Sequence, residues 1–136
     1  FDYIISDKLA PKKCDAAIIV TEPSTPSIKS ADCCRAYLAV SGFKDVSLFV
    51  NKLNGGQILS GDTMTAQEIA ALLRLPLKAV IPEDLTLPSG KWKKSTLKAF
   101  KAAADFVAGR RDGIVNVLLP YFGINGFIKR KVRERI

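Results

Sequence analysis

Four short apolar runs, separated by helical patterns, constrain the fold of this 136-residue chain more than any other feature. The runs are rich in Ile and Val and show no polar alternation; they cover Tyr3–Ser6, Ala16–Thr21, Val46–Asn51 and Lys78–Ile81. Apolar runs of this length are typical of strands buried on both faces of a parallel sheet. The sequence therefore predicts strands that lie inside a layered domain.

Helical patterns fill the intervals between these runs. Three stretches carry apolar residues at spacings of three and four, and they cover residues 26 to 40, 65 to 73 and 95 to 110. The second opens with Thr65 and Glu68, the signature of a capping box. Because strand and helix alternate, the predicted class is α/β, a mostly parallel sheet flanked by helices. In the third stretch the predicted core face comprises Leu97, Phe100, Ala104 and Val107.

Polar residues follow each predicted strand. They are Asp7, Thr21–Pro23, Asn51–Lys52 and Pro82–Asp84. In open α/β sheets, ligands bind at the carboxyl ends of the strands. An aspartate at a strand tip can hold Mg²⁺ or its water, although such residues more often cap a turn. The strand ends are therefore the candidate site.

The sequence lacks the residues that several kinds of functional site require. The sequence has no phosphate loop of the form GxxxxGK[ST], and its Gly55-Gly56 pair is predicted to form an ordinary turn. There is no histidine, and Cys14, Cys33 and Cys34 lack metal-ligand spacing. These counts exclude histidine-based catalysis, most zinc sites and a disulfide framework. We expect reduced thiols, with the adjacent pair on a packed helix.

The net charge of +8 is concentrated in the last third of the chain. Seven basic residues and one acidic residue lie between Lys91 and Arg111, and five basic residues and one acidic residue lie between Gly126 and Ile136. The first ninety residues are close to neutral. This distribution indicates an anionic partner for the last third.

The C-terminal residues form a basic amphipathic pattern. Ile124, Ile128, Val132 and Ile136 recur every fourth residue and share one face of a predicted helix. Such a helix fits an anionic membrane surface, or it packs its apolar row on the domain. The uncharged stretch before it is shorter than the roughly 20 residues that a spanning helix needs. The predicted membrane residues are Phe127, Ile128, Lys129, Arg130, Lys131, Val132 and Arg133.

Taken in order, several segments resemble the C-terminal half of the MinD/ParA family of deviant Walker P-loop ATPases, with the MinD branch the nearer. They are Phe1–Asp7, Ala17–Pro23, Ser27–Asp32, Val50–Lys52, Val80–Asp84 and Gly126–Arg130. The resemblance implies a P-loop NTPase-like partial sheet whose phosphate-loop half lies upstream of Phe1. It also implies ATP and Mg²⁺ as cofactors, and a homodimer for the full-length protein.

The resemblance also implies roles for individual residues. Asp7 matches the catalytic strand-end aspartate that positions the magnesium ion and the attacking water. Asn51 matches the asparagine that hydrogen-bonds adenine, and Pro82 and Glu83 match the loop that borders adenine and ribose. The interval between Asp7 and the next strand is too short for the family's switch helix, so ATP hydrolysis is not part of the expectation for this chain.

The expected domains are a C-terminal part of the ATPase domain over residues 1 to 112, and a linker with a membrane-targeting helix over residues 113 to 136. The expected function is cell-division site placement or a related intracellular positioning role. The protein would be cytoplasmic and peripheral on the inner face of the bacterial cell membrane. Its partners would be anionic membrane lipids and division or partition regulators.

Two alternatives to this function stay open. The first is a ParA-like partitioning protein that binds DNA without sequence preference. Its binding residues would be Lys91, Lys93, Lys94, Lys98 and Lys101 around Trp92. The apolar row at the C-terminus makes nucleic acid the less favoured partner, because phosphate binding needs no such row. The second is a degenerate, non-hydrolysing interaction domain.

Overall fold

The structure, a computed structural model, describes residues 4 to 7, 14 to 110 and 114 to 121. Within these described residues, three strands and four α-helices follow one another as β1 (Ala17–Thr21), α1 (Thr25–Val40), β2 (Val46–Leu53), α2 (Gly55–Ser60), α3 (Ala66–Leu73), β3 (Leu77–Pro82) and α4 (Lys94–Val107). Short 3₁₀ turns cover Leu87–Ser89 and Leu119–Tyr121. The alternation of strands and helices confirms the predicted α/β class.

The described strands form a parallel sheet in the order β1-β2-β3. β1 and β2 pair in regular register, from Ala17 opposite Val46 to Thr21 opposite Val50. β2 and β3 show two register shifts. Leu48 and Phe49 pair with Leu77 and Ala79, so β3 carries one extra residue near its start, and Val50 and Leu53 pair with Val80 and Pro82, so β2 carries one extra residue near its carboxyl end. Such a bulge redirects the side chains around it.

The main core lies between the sheet and the helices α1 and α3. Leu48 and Val50 of β2 are fully buried against Ile69 and Leu73 of α3. Each fully buried side chain of this size contributes roughly 1.5–3 kcal/mol. The predicted capping box opens α3: Thr65 Oγ1 accepts from the Glu68 N–H at 3.2 Å, and Glu68 Oε2 accepts from the Thr65 N–H at 2.7 Å.

α4 covers the opposite face of the sheet, above β3. Its Ala99 and Ala103 are buried against Ala79 and Ile81, so small side chains on both elements allow close approach. The predicted core face of α4 was wrong by one position. Leu97 and Phe100 are exposed, and the buried residues are Thr96, Ala99 and Ala103. Apolar periodicity alone does not identify a face built from alanines and one bonded threonine.

Two other expectations were also wrong. Residues 4 to 6 form no strand, and Ile4 and Ile5 are exposed. A parallel neighbour of β1 needs a crossover of about a dozen residues or more, which is more than lies between residues 6 and 17. The Gly55-Gly56 pair is not a simple turn but the first turn of α2, which Asn54 caps. Gly55 is required there, because a Cβ atom would lie 2.6 Å from the Val117 carbonyl oxygen.

The remaining expectations concern the adjacent cysteines, membrane-spanning helices and the predicted membrane residues. Cys33 and Cys34 lie on α1 as predicted, but they are exposed rather than packed. Within the described ranges, no helix is both long enough and apolar enough to cross a membrane. The predicted membrane residues, Phe127 to Arg133, lie outside the described residues.

Candidate functional site

The carboxyl ends of the three parallel strands bring polar residues to one edge of the sheet. Glu22 follows β1, residues 51 to 54 end and follow β2, and Glu83 and Asp84 follow β3. We call this set the strand-end edge. It matches the position at which open α/β sheets bind ligands.

The part of the strand-end edge above β1 and β2 is exposed and charged. Lys52 Nζ lies 2.6 Å from Glu22 Oε1; the Lys52 side chain is 59% exposed and the Glu22 side chain 44% exposed. The hydrogen bond and the charge of Glu22 raise the pKa of Lys52. Behind this pair, the Ser27 hydroxyl accepts from the Glu22 N–H at 2.9 Å and bonds the Thr21 hydroxyl at 3.0 Å. The start of α1 thus fixes the backbone that carries Glu22.

The β2 bulge sets the conformation of Asn51 and Lys52. Lys52 adopts a left-handed backbone conformation with φ 54°, which is uncommon for a residue other than glycine. Asn51 Oδ1 accepts from the Lys52 N–H at 2.9 Å, so the bulge also orients the Asn51 amide. Asn51 is half-buried and lies inside β2, two residues earlier than the end of the strand. Its amide can donate to a ligand at this edge and accept from it.

Asn54 and Glu83 connect β2 to β3. Asn54 Nδ2 donates to Glu83 Oε2 at 2.7 Å, and the Glu83 N–H donates to the Leu53 carbonyl oxygen at 3.0 Å. The Asn54 side-chain oxygen accepts from Gly56 and Gln57 and so caps α2. Pro82 pairs with Leu53 in the sheet. The structure therefore places Asn51, Pro82 and Glu83 at the same edge of the sheet.

Asp84 is the best-satisfied polar residue of the strand-end edge. Its buried carboxylate accepts from the Thr86 hydroxyl at 2.6 Å, the Thr96 hydroxyl at 2.7 Å, the Thr86 N–H at 3.0 Å and the Lys93 N–H at 3.2 Å. The Thr86 and Thr96 hydroxyls are the main cause that lowers the pKa of Asp84 well below its ordinary range. This network ties the loop after β3 to α4. Sequence reasoning missed its role, although aspartate side chains in turns often accept from the backbone N–H two residues on, as Asp84 does from Thr86.

Asp7 is not brought into this edge by any described contact. It is exposed, and it follows a segment that forms no strand. Across residues 4 to 7, 14 to 110 and 114 to 121, no group of three or more His, Cys, Asp or Glu side chains could hold a metal ion. Mg²⁺ is usually held by one or two carboxylates together with substrate phosphates and water, so the metal role of Asp7 stays a prediction. The edge offers two amides, three carboxylates, the Lys52 ammonium group and backbone groups, which together can hydrogen-bond a polar ligand.

A shallow cavity of about 400 Å³ lies elsewhere, between α2 and α3. Its walls include Ile58, Asp62, Met64 and Glu68, and none of the predicted ligand-binding residues. The candidate site therefore rests on the strand ends and not on this cavity.

Curated proteins similar in sequence are named septum site-determining proteins. The chain is 32% identical over 142 residues to the putative septum site-determining protein MinD of Oltmannsiellopsis viridis, covering 89% of this chain and 44% of that protein. It is 32% identical over 126 residues to the corresponding protein of Mesostigma viride, covering 85% and 43%. The chain thus spans less than half the length of these relatives. No family model matches the chain.

Solved structures similar in fold carry related names. The MinD cell division protein of Aquifex aeolicus superposes with a TM-score of 0.69 at 21% identity, covering 74% of this chain and 47% of that one. A MinC:MinD cell division protein complex from the same organism superposes with a TM-score of 0.65 at 20% identity, covering 74% and 45%. At these identities the likeness shows a shared fold, a three-stranded parallel sheet flanked by helices.

Proposed function

Because this chain is a homologue of MinD proteins and fits the MinD/ParA family, we propose that it forms the carboxyl-side part of a MinD-like protein that acts in cell-division site placement. Its relatives are named for that role, and they are about twice as long as the part that this chain spans. ATP-dependent dimerisation and contact with division regulators would belong to the longer protein. The residues of the strand-end edge would supply one border of its nucleotide site.

The nucleotide-site proposal is carried by one observation: the β2 bulge and the β2–β3 register bring Asn51 to the same edge as Pro82 and Glu83. In this proposal the Asn51 amide faces the edge of an adenine base, since it can both donate and accept. The hydrogen bond from Asn54 fixes the Glu83 side chain at the same edge of the sheet. In the longer protein these residues would orient and select the base of a bound ATP.

Base selection tests this part of the proposal. Asn51→Ala should weaken ATP binding by about tenfold, the effect of losing about one hydrogen bond or more, and should reduce the preference for ATP over GTP. The measurement is calorimetric titration of each nucleotide into the longer protein, which carries the phosphate-loop half of the site. Gln57→Ala is the matched control, since it removes an exposed amide on α2, outside the strand-end edge. Unchanged ATP affinity and preference in Asn51→Ala would reject the base-facing role.

We also propose that the tail, Phe127 to Arg133, anchors the protein on an anionic membrane. Support comes from its sequence: a run of basic residues beside Phe127, Ile128 and Val132. Each basic residue near such a surface contributes about 1 kcal/mol, so one tail should bind weakly and reversibly. Two tails in a dimer would bind much more tightly through effective concentration.

Vesicle co-sedimentation tests the anchor. The full chain should pellet with phosphatidylglycerol-containing vesicles and stay in solution with phosphatidylcholine alone. Ile128→Asp should lower pelleting because it places a charge in the apolar row, while Cys33→Ser, a change on exposed α1, should have no effect. Equal pelleting of Ile128→Asp and the parent chain would remove the anchor from the proposal and leave the nucleotide site untouched.

A further inference from the structure

α4 carries two apolar surfaces, and the core uses only one of them. Thr96, Ala99 and Ala103 face the sheet and are buried. Leu97, Phe100 and Ala104 recur at spacings of three and four on the outer side of the helix. The second surface thus has no role in the fold as described.

The exposed apolar surface includes large side chains. Trp92, just before α4, is 49% exposed, Leu97 is 51% exposed and Phe100 is 40% exposed. The rings of Trp92 and Phe100 pack edge to face with their centroids 5.5 Å apart. This contact holds the indole at the start of α4 instead of leaving it loose on the loop. Clustered exposed apolar side chains of this size mark an interaction surface more often than isolated ones do.

A row of lysines runs beside this apolar surface. Lys94, Lys98 and Lys101 recur at spacings of three and four and are exposed. Asp105 follows one turn later on the same row and lies 3.9 Å from Arg110. Because there is no other acidic residue from Leu85 to Asp105, the row carries a net positive charge along the outer side of the helix.

We propose that this outer face of α4 is a second docking surface, and that its partner is an anionic lipid bilayer. The face is defined by Trp92, Lys94, Leu97, Lys98, Phe100 and Lys101. Lysines beside an anionic leaflet are attracted to its headgroups, and Trp and Leu favour the boundary between headgroups and acyl chains. The exposed apolar side chains Leu97 and Phe100 beside the lysines favour lipid over nucleic acid, because phosphate binding needs no apolar surface. The inference does not depend on the tail, because it uses none of its residues.

A second surface changes how the molecule would sit on a membrane. A single basic tail fixes one point of the chain and leaves the domain free to rotate. Contact through α4 would place the helix against the bilayer, with the sheet behind it. Two weak attachments on one molecule also bind more tightly than either alone, through effective concentration.

The single tryptophan of the chain makes the proposal directly testable. Trp92 emission should shift to shorter wavelength when the full chain is titrated with phosphatidylglycerol-containing vesicles, because the indole leaves water. It should not shift with phosphatidylcholine alone. An unchanged emission spectrum while the protein pellets with anionic vesicles would overturn the proposal, since contact would then be elsewhere.

Charge reversal tests the lysines. Lys94→Glu/Lys98→Glu/Lys101→Glu should reduce the vesicle partition coefficient by at least about 100-fold, since each lysine contributes roughly fivefold and reversal adds repulsion. The matched control is Lys29→Glu/Lys44→Glu/Arg74→Glu, which makes the same change of charge at exposed positions outside α4. Circular dichroism of both variants verifies folding. Equal losses in the two variants would show that only the net charge of the protein matters, and would overturn the proposal.

Leu97→Ser distinguishes lipid binding from nucleic-acid binding. Tail variants distinguish membrane contact through α4 from contact through the tail. Leu97→Ser should lower vesicle binding and leave any binding to duplex DNA unchanged. In the Ile128→Asp background, residual vesicle binding should still shift Trp92 emission and disappear on reversal of the three α4 lysines. Tighter binding to duplex DNA than to anionic vesicles at equal salt, with no effect of Leu97→Ser on either, would assign the face to nucleic acid instead.

Discussion

Two lysine–carboxylate pairs lie along the same edge of the sheet: Lys52 with Glu22 above β1 and β2, and Lys93 with Asp84 beyond β3. The first pair is close, at 2.6 Å, but 44% or more of each side chain is exposed. The second is distant, at 3.8 Å, but the Asp84 side chain is fully buried. Four hydrogen bonds from hydroxyl and backbone groups hold Asp84, whereas Glu22 and Lys52 are open to solvent.

The difference between the two pairs distinguishes residues that stabilise the fold from residues that are available to bind a ligand. Ion-pair distance is a poor guide, because an exposed pair competes with water and counterions and contributes little to stability. A buried carboxylate with several hydrogen bonds cannot be removed without leaving its donors unsatisfied. We therefore expect Asp84 to stabilise the fold and the Glu22–Lys52 pair to remain open to a ligand.

The largest expected effect is that of Asp84→Ala. The substitution leaves the buried Thr96 hydroxyl and two N–H groups without their acceptor, and it releases the loop after β3 from α4. We expect Tm to fall by more than about 5 °C in differential scanning calorimetry. Glu22→Ala is the control at the same edge and should change Tm by less than about 2 °C. Similar shifts in both variants would break the distinction between the two pairs.

Acid titration should sharpen the same distinction. Because folding lowers the pKa of Asp84, its contribution is complete well above its ordinary pKa of about 3.9, and is lost progressively as the pH falls below that value. The parent chain should therefore lose more stability between neutral and acid pH than Asp84→Asn, which cannot be protonated. Tm measured across this range tests the sign. Parallel acid profiles of the two proteins would show that Asp84 does not contribute in this way.

Asn54→Ala should have an intermediate effect on stability, because Asn54 links the end of β2 to the end of β3 through its bond to Glu83. It caps α2 through Gly56 and Gln57 and also donates to Glu83. We expect a loss of about 1–2 kcal/mol in the free energy of unfolding by urea, about 1 kcal/mol of which belongs to the cap. Thr65→Ala removes a helix cap without a link between strands and should cost only the cap contribution. If Thr65→Ala lowers the free energy of unfolding as much as Asn54→Ala does, the Asn54–Glu83 bond adds nothing to stability.

The smallest expected effect is that of Lys52→Gln. It removes an exposed ion pair, so Tm should change by less than about 2 °C, and the small difference should shrink further in high salt. The same variant should still alter the binding of an anionic ligand at the strand-end edge. A large loss of Tm would place Lys52 with Asp84 among the structural residues.

Sequence patterns predicted those parts of the molecule that depend on local periodicity. β1, β2, β3 and α1 were found near their predicted positions, and the capping box at Thr65 was found with both of its bonds. Each is specified by apolar spacing or by a side chain that bonds its own backbone. The predicted site residues Asn51, Pro82 and Glu83 share one edge because parallel strands share a direction.

The remaining features depend on contacts distant in sequence. The buried face of α4 is set by the bond from Thr96 to Asp84, twelve residues apart, and not by the periodicity of the larger apolar side chains. The first turn of α2 requires Gly55 because residues 117 and 121 pack against it. The segment at residues 4 to 6 has strand composition but no described partner strand. Neither composition nor spacing carries this information.

The bulge in β2 also bears on how Asn51 is matched in other proteins. β3 carries an extra residue of its own between Leu77 and Ala79, so the paired parts of β2 and β3 have equal lengths and spacing along the sequence does not reveal the bulge. The backbone provides a marker, because the residue after Asn51 must tolerate a positive φ, as Lys52 does at 54°. A glycine, asparagine or aspartate at that point in a relative would fit the same backbone, since these residues adopt positive φ most readily.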